Sequence, residues 1–172
     1  MALTPTHPSS TGPLIGVDLS PKMLSKARAR AGLYSELVEG DVVGFLRARE
    51  GAGCDLIFLA DVVVYIGDLA PLLSSCAAAA GPVSEERLIV AFSAEALVCD
   101  FRPSSGSSMK GKEFMLQSSG RYAHSEAYIR ATAEEAGFEV LRLVTAGIRE
   151  QAGNPVQGHL VVLGSGAPDG RQ

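Results

Sequence analysis

No apolar run in the 172 residues approaches the ~18–20 needed to cross a bilayer, so no membrane span is expected. The opening MALTPTHPSSTGP has neither a basic start nor an apolar stretch, and no secretory leader is expected from it. Positive charge is also scarce. Fifteen Lys plus Arg stand against nineteen Asp plus Glu, a net charge of −4, which argues against a protein that grips phosphate backbones by charge. Lys110 and Lys112 are too few to form a nucleic-acid patch. Cysteine is limited to Cys54, Cys76 and Cys99, without CxxC or CxxH spacing. That excludes a disulfide framework and a zinc site as expectations, and leaves three thiols behaving as small core hydrophobes. The reducing cytosol is the expected compartment, with an organelle interior as the alternative.

What the chain does have is an ordinary globular balance, 47% hydrophobic and 20% charged residues, at a length suited to one domain. Residues 1–13, rich in Thr, Pro and Ser, read as a flexible lead-in, and 165–172 as a disordered tail. Between them the spacing predicts one α/β domain over 14–164. Leu14 to Asp18 is a short strand, and Ser20-Pro21 then caps a helix with Met23, Leu24, Ala27 and Ala31 on one face. The unit repeats: a weaker strand over 35–41, a helix over 42–49, an unbroken apolar strand over 55–60, a helix over 69–80 and a strand over 87–93. Such alternation implies a parallel sheet with helices on both faces. Residues 96–120 read as an irregular insertion, Ser125 caps a helix, and 138–144 with 159–163 form a C-terminal antiparallel hairpin.

Three successive strands run into an acid: Asp18, Asp41 and Asp61. In an open α/β sheet, ligands sit beyond the carboxyl ends of the strands, so the three carboxylates are expected to face one cleft. An ionised carboxylate offers two acceptor oxygens, enough for the two hydroxyls of a ribose, and Asp18 is placed for that role. Leu19 next to it supplies an apolar wall for a purine. In Gly40-Asp41-Val42, the Asp can accept from an exocyclic amine while a backbone N–H meets a ring nitrogen. His124, in Gly120-Arg121-Tyr122-Ala123-His124-Ser125, is read in a polar turn entering a helix, where it could act as a general base. Arg121 there is either an anion clamp or a surface residue, His159 is read as packed core, and Arg142 and Arg149 as solvated.

The runs IGVDLSPKMLSKARARAGLYSELVEGDVVGFL and CDLIFLADVVVYIGDLAPLL closely resemble class I S-adenosylmethionine-dependent methyltransferases. The resemblance is to the group found alone and fused to tetratricopeptide repeats. GRYAHSEAYIRATAEEAGFEVL and PVQGHLVVL extend it over 14–163. It implies a Rossmann-like sheet, S-adenosylmethionine as cofactor, a small-molecule or protein methyl acceptor, and a possible tetratricopeptide-repeat context. By position, Asp18 would hold the ribose hydroxyls of the cofactor. Gly40, Asp41 and Val42 would hold the adenine, and Asp61 would lie near the methionine end or the acceptor. Tyr65 would line the methyl-transfer cleft.

The family opens with a strand and an acid-x-Gly-x-Gly-x-Gly loop, whereas this sequence enters at what resembles the second strand. The expected fold therefore lacks the first strand and the Gly-rich loop. A second reading follows from that difference: a non-catalytic methyltransferase-like remnant serving as a binding or partner module. A nucleotide-dependent oxidoreductase would need GxGxxG after the first strand, and the sequence has none.

Overall fold

The structure, a computed structural model, describes residues 12–30, 32–80, 88–97, 113–151 and 153–165. Residues 1–11 of the expected lead-in, 166–172 of the expected tail, Cys99 and most of the 96–120 insertion lie outside these residues, whereas Ser165, expected in the tail, ends a strand. The chain divides into two compact units, 1–48 and 49–172.

In the first unit, strands β1 (Ile15–Asp18) and β2 (Glu36–Glu39) pair in parallel, with Asp18 opposite Glu39. Helix α1 (Pro21–Arg28) crosses between them. Ser20 accepts from the Met23 N–H at 3.4 Å, Pro21 occupies the first turn, and Lys26 and Arg28 sit at the negative end of the helix dipole. Leu24 is the buried anchor of this helix. Asp41 caps the short α2 (Val42–Arg47), which buries Leu46.

The second unit is built around β4 (Ile89–Ala96). On one flank lie β3 (Leu56–Leu59), parallel to its first half, and β6 (Tyr122–His124), parallel to its end. On the other flank is β8 (Asn154–Ser165), antiparallel, which carries β7 (Phe138–Gln151) beyond it. Strand β5 (Phe114–Leu116) closes the other edge against β6. Helix α3 (Ala70–Ala79) connects β3 toward β4, and α4 (Glu126–Glu135) packs on α3 and β7. The core gathers Val63, Leu69, Leu72, Leu73, Val90, Ile129, Val161 and Leu163. Cys76 belongs to it too, and burial pushes its thiol up to about 12.

The α/β class, the parallel strand–helix–strand units and the C-terminal antiparallel hairpin agree with the sequence reading. Several particulars differ. The hairpin strands run on to Gln151 and from Asn154, where turn-rich sequence suggested a loop. Gly153, immediately before β8, takes φ +77°, a conformation that favours glycine. The insertion contains a strand, β5, and the polar turn at 122–124 is a strand, β6. Strand β3 was expected to be covered on both faces. Instead Ile57 and Leu59 are buried, while Leu56 and Phe58 are 64% and 71% exposed. Its composition reflects a parallel strand, but the described residues cover only one of its faces.

Candidate functional site

Asp18 and Asp41 leave the carboxyl ends of adjacent parallel strands, and the Gly40 N–H donates to the Asp18 carbonyl at 3.2 Å. Each side chain is oriented by backbone. Asp18 Oδ1 accepts from the Ser20 N–H at 2.7 Å, which leaves Oδ2 for a ligand. Asp41 Oδ1 accepts from the Val43 and Gly44 N–H groups, both at 3.0 Å. The Val42 N–H has no acceptor among the described residues, so a donor and a carboxylate stand side by side at Asp41-Val42. Leu19 is 73% exposed beside Asp18, an apolar surface with nothing packed over it among the described residues. Paired acceptors for hydroxyls, an exposed apolar wall and a donor–acceptor edge are what a nucleoside needs. These residues fit the adenosine half of S-adenosylmethionine.

Asp61 belongs to the second unit. It follows β3 in the left-handed region, φ 52°, the one described non-glycine residue with positive φ. A backbone held in this way is a strained position, tolerated by Asp because of its short polar side chain. Tyr65 lies in a 3₁₀ turn, Val63–Tyr65, and is 61% exposed. The Arg121 guanidinium stands 5.6 Å from its ring centre and donates through Nη2 to its hydroxyl at 3.4 Å.

His124 is corrected by the structure. It lies on β6 at 0% exposure rather than in an exposed turn. Nε2 reaches the Ile66 and Gly67 carbonyls at 2.9 and 3.1 Å, so Nε2 carries the proton and donates to both. Nδ1, the basic nitrogen of that tautomer, is the one buried side-chain polar atom without a partner among the described residues. Burial holds the ring below its usual pKa and hence neutral. A sealed lone pair has no route to a substrate proton; His124 is a strut that ties β6 to the turn after Tyr65. Gly67 makes the strut possible, since a Cβ there would lie 2.8 Å from both the Phe114 and Tyr122 rings. His159 is core, as its apolar strand suggested, with Nδ1 3.0 Å from Thr145 Oγ1 and its pKa lowered by burial.

The sequence reading missed Glu95. It is buried at 5% exposure, and its Oε1 takes contacts from two guanidinium groups. Arg149 approaches through Nε at 3.1 Å and Nη2 at 2.6 Å, and Arg121 Nη1 lies 3.7 Å away. Arg149, expected to be solvated, is therefore an interior ion-pair partner. A glutamate inside the apolar run AFSAEAL was the available signal, because a charge in a buried strand must find an opposite charge. Glu95 also lines an open pocket of about 280 Å³ at the end of β4, between β5 and the start of β8. Among the described residues, no group of three or more His, Cys, Asp or Glu is arranged to hold a metal ion. No described helix is long and apolar enough to cross a membrane.

No protein-family model matches the chain, and no curated protein matches it in sequence. Solved structures do match in fold. A SAM-dependent methyltransferase from Methanosarcina mazei superposes with a TM-score of 0.62 at 11% identity, over 88% of this chain and 81% of that one. A S-adenosylmethionine-dependent methyltransferase from Mesorhizobium loti gives 0.60 at 17% identity, over 87% and 79%. Magnesium protoporphyrin IX methyltransferase from Synechocystis PCC 6803 with bound SAM gives 0.57 at 16%, over 91% of this chain and 61% of that one. The chain thus has the Rossmann-like fold of class I SAM-dependent methyltransferases.

Proposed function

We propose that this chain is a S-adenosylmethionine-dependent methyltransferase domain whose first unit holds the nucleoside of the cofactor. The observation that carries the reading is the placement of Asp18 and Asp41 at the ends of paired parallel strands, in a chain with this fold. Asp18, fixed by the Ser20 N–H, receives the ribose hydroxyls, and charged hydrogen bonds of this kind contribute about 1.5–3 kcal/mol each. Leu19 covers one face of the adenine. Asp41 accepts from its exocyclic amine, and the Val42 N–H donates to a ring nitrogen. When bound, the cofactor supplies an electron-poor sulfonium methyl group, so the protein's task is mainly to orient the acceptor and exclude water. Asp61 and Tyr65 are assigned to the acceptor side, whereas the buried His124 serves as a positioning residue.

Two-dimensional NMR of the ¹⁵N-labelled chain titrated with S-adenosylhomocysteine tests this. The amides of Asp18, Leu19, Gly40 and Val42 are expected to shift and saturate. Asp18→Ala is expected to weaken binding by about tenfold or more, the equivalent of one charged hydrogen bond. A folded chain in which none of these amides moves at millimolar ligand overturns the proposal.

A further inference from the structure

The pocket beside Glu95 lies wholly in the second unit, on one face of its sheet. Cross-strand partners share a face, and the pairs Glu95–Ala123, Ala123–Met115 and Glu95–Gly158 put Glu95, Ala123 and Met115 together, with Gln117 and Val156 following by alternation. Arg121 and Arg149 are on that face as well, and both contact Glu95 Oε1. Glu95 Oε2 has no partner among the described residues and is not among the sealed polar atoms, so it keeps access to the opening that Glu95 lines. Leu97, Met115, Val156, Gln117 and Gln157 line the same opening.

This environment selects a ligand. A carboxylate oxygen with free lone pairs takes a hydrogen-bond donor. Two guanidinium groups against one carboxylate leave a formal charge of +1 below the pocket, which repels an ammonium ion and tolerates a neutral or weakly acidic hydroxyl. Apolar walls suit a ring, and methionine adapts to its edge. A volume of about 280 Å³ sits at the small end of ligand sites, room for a single substituted ring.

We propose that this pocket binds a small aromatic molecule through its hydroxyl group, donated to Glu95 Oε2. Its role as the seat of the methyl acceptor rests on the function proposed above; its existence as a binding site does not.

The same ¹⁵N-labelled chain, titrated with phenol, provides the test. Phenol is expected to shift the amides of Glu95, Leu97, Met115 and Gln157. Anisole, the same ring without the O–H, is expected to bind at least tenfold more weakly, as loss of a charge-assisted hydrogen bond requires. Gln117 lines the pocket on the face of Glu95, so Gln117→Trp fills it and is expected to abolish the phenol shifts. Absence of shifts at these amides, equal binding of anisole, or unchanged binding to Q117W each overturns the proposal. Phenol binding in a chain that ignores S-adenosylhomocysteine upholds the site and removes its acceptor role. Cofactor binding without phenol binding does the reverse.

Discussion

Arg149 and Glu95 belong to strands that are not neighbours, yet the Arg149 Nη2 lies 2.6 Å from Glu95 Oε1, reaching across β8. Two details of the chain allow it. A bulge between Gly147 and Arg149 gives β7 an extra residue, Ile148, and so turns Arg149 onto the face of Glu95. Between them, β8 presents Gly158, where a Cβ would meet the Ala94 carbonyl at 2.6 Å and collide with Ile148 Cδ1. A regular strand at 148 would send the arginine to the opposite face.

Removing one partner of a buried ion pair costs about 3–5 kcal/mol, because the remaining charge stays in a poorly solvated place. Arg149→Ala is expected near the lower end, since Arg121 remains beside Glu95. Urea unfolding followed by circular dichroism measures it. An unchanged urea midpoint for Arg149→Ala contradicts the assignment.

Tyr128 links α4 to the start of α3. Its hydroxyl donates to Asp68 Oδ1 at 3.1 Å and accepts from the buried Leu69 N–H at 2.9 Å. Tyr128→Phe keeps the ring but strands that N–H, a loss of about 1–3 kcal/mol. The expected result is a lower melting temperature, while Asp68→Asn, which keeps an acceptor oxygen, changes it much less.

Stability is expected to depend on pH through the two buried histidines. Burial lowers the pKa of both His124 and His159 from 6.5. Above about 6.5, folded and unfolded chains both carry neutral rings and the contribution is complete. Below it, the unfolded chain takes up protons first, so stability falls as the pH drops toward the folded-state values. Melting temperatures measured between pH 8 and pH 5 are expected to decline through that window. The slope is expected to flatten in His159→Gln, whose side chain does not titrate.

Asp41 is expected to show two separable effects. Asp41→Ala removes the cap of α2 and costs about 0.5–2 kcal/mol of stability. Asp41→Asn keeps a capping oxygen and most of that stability. If the carboxylate contacts the cofactor, both variants lose affinity for S-adenosylhomocysteine, measurable in the same NMR titration. Loss in D41A alone assigns Asp41 to helix capping.

Local chemistry made the first unit legible. Ser20-Pro21 announces a helix start, the acids of VDLSP and EGD follow short apolar runs, and the structure has both strands and both caps there. The ends of the hairpin were not legible. Ala146-Gly147, Glu150-Gln151 and Gly153-Asn154-Pro155 have weak strand preference, and it is pairing along the whole of β7 and β8 that holds them extended. A related reason hid β6: Tyr122–His124 is too short to show alternation, and its parallel partner at the end of β4 is remote in sequence. Glu95 and Arg149 are separated by 54 positions, and only a bulge, which leaves no clear mark in composition, brings them together. Asp18 could be found because its surroundings are sequential; the partner of the glutamate could not, because it lies on a strand 54 positions away.

The uncovered side of β3 bears on how the protein behaves in concentrated solution. Leu56 and Phe58 form a sticky ridge, and the strand pairs only with β4 among the described residues. Asp55 and Asp61 bracket that ridge and act as gatekeepers, keeping like surfaces apart by mutual repulsion. Replacing both with serine therefore removes the guard, and colloidal stability, read by light scattering, depends on their charge.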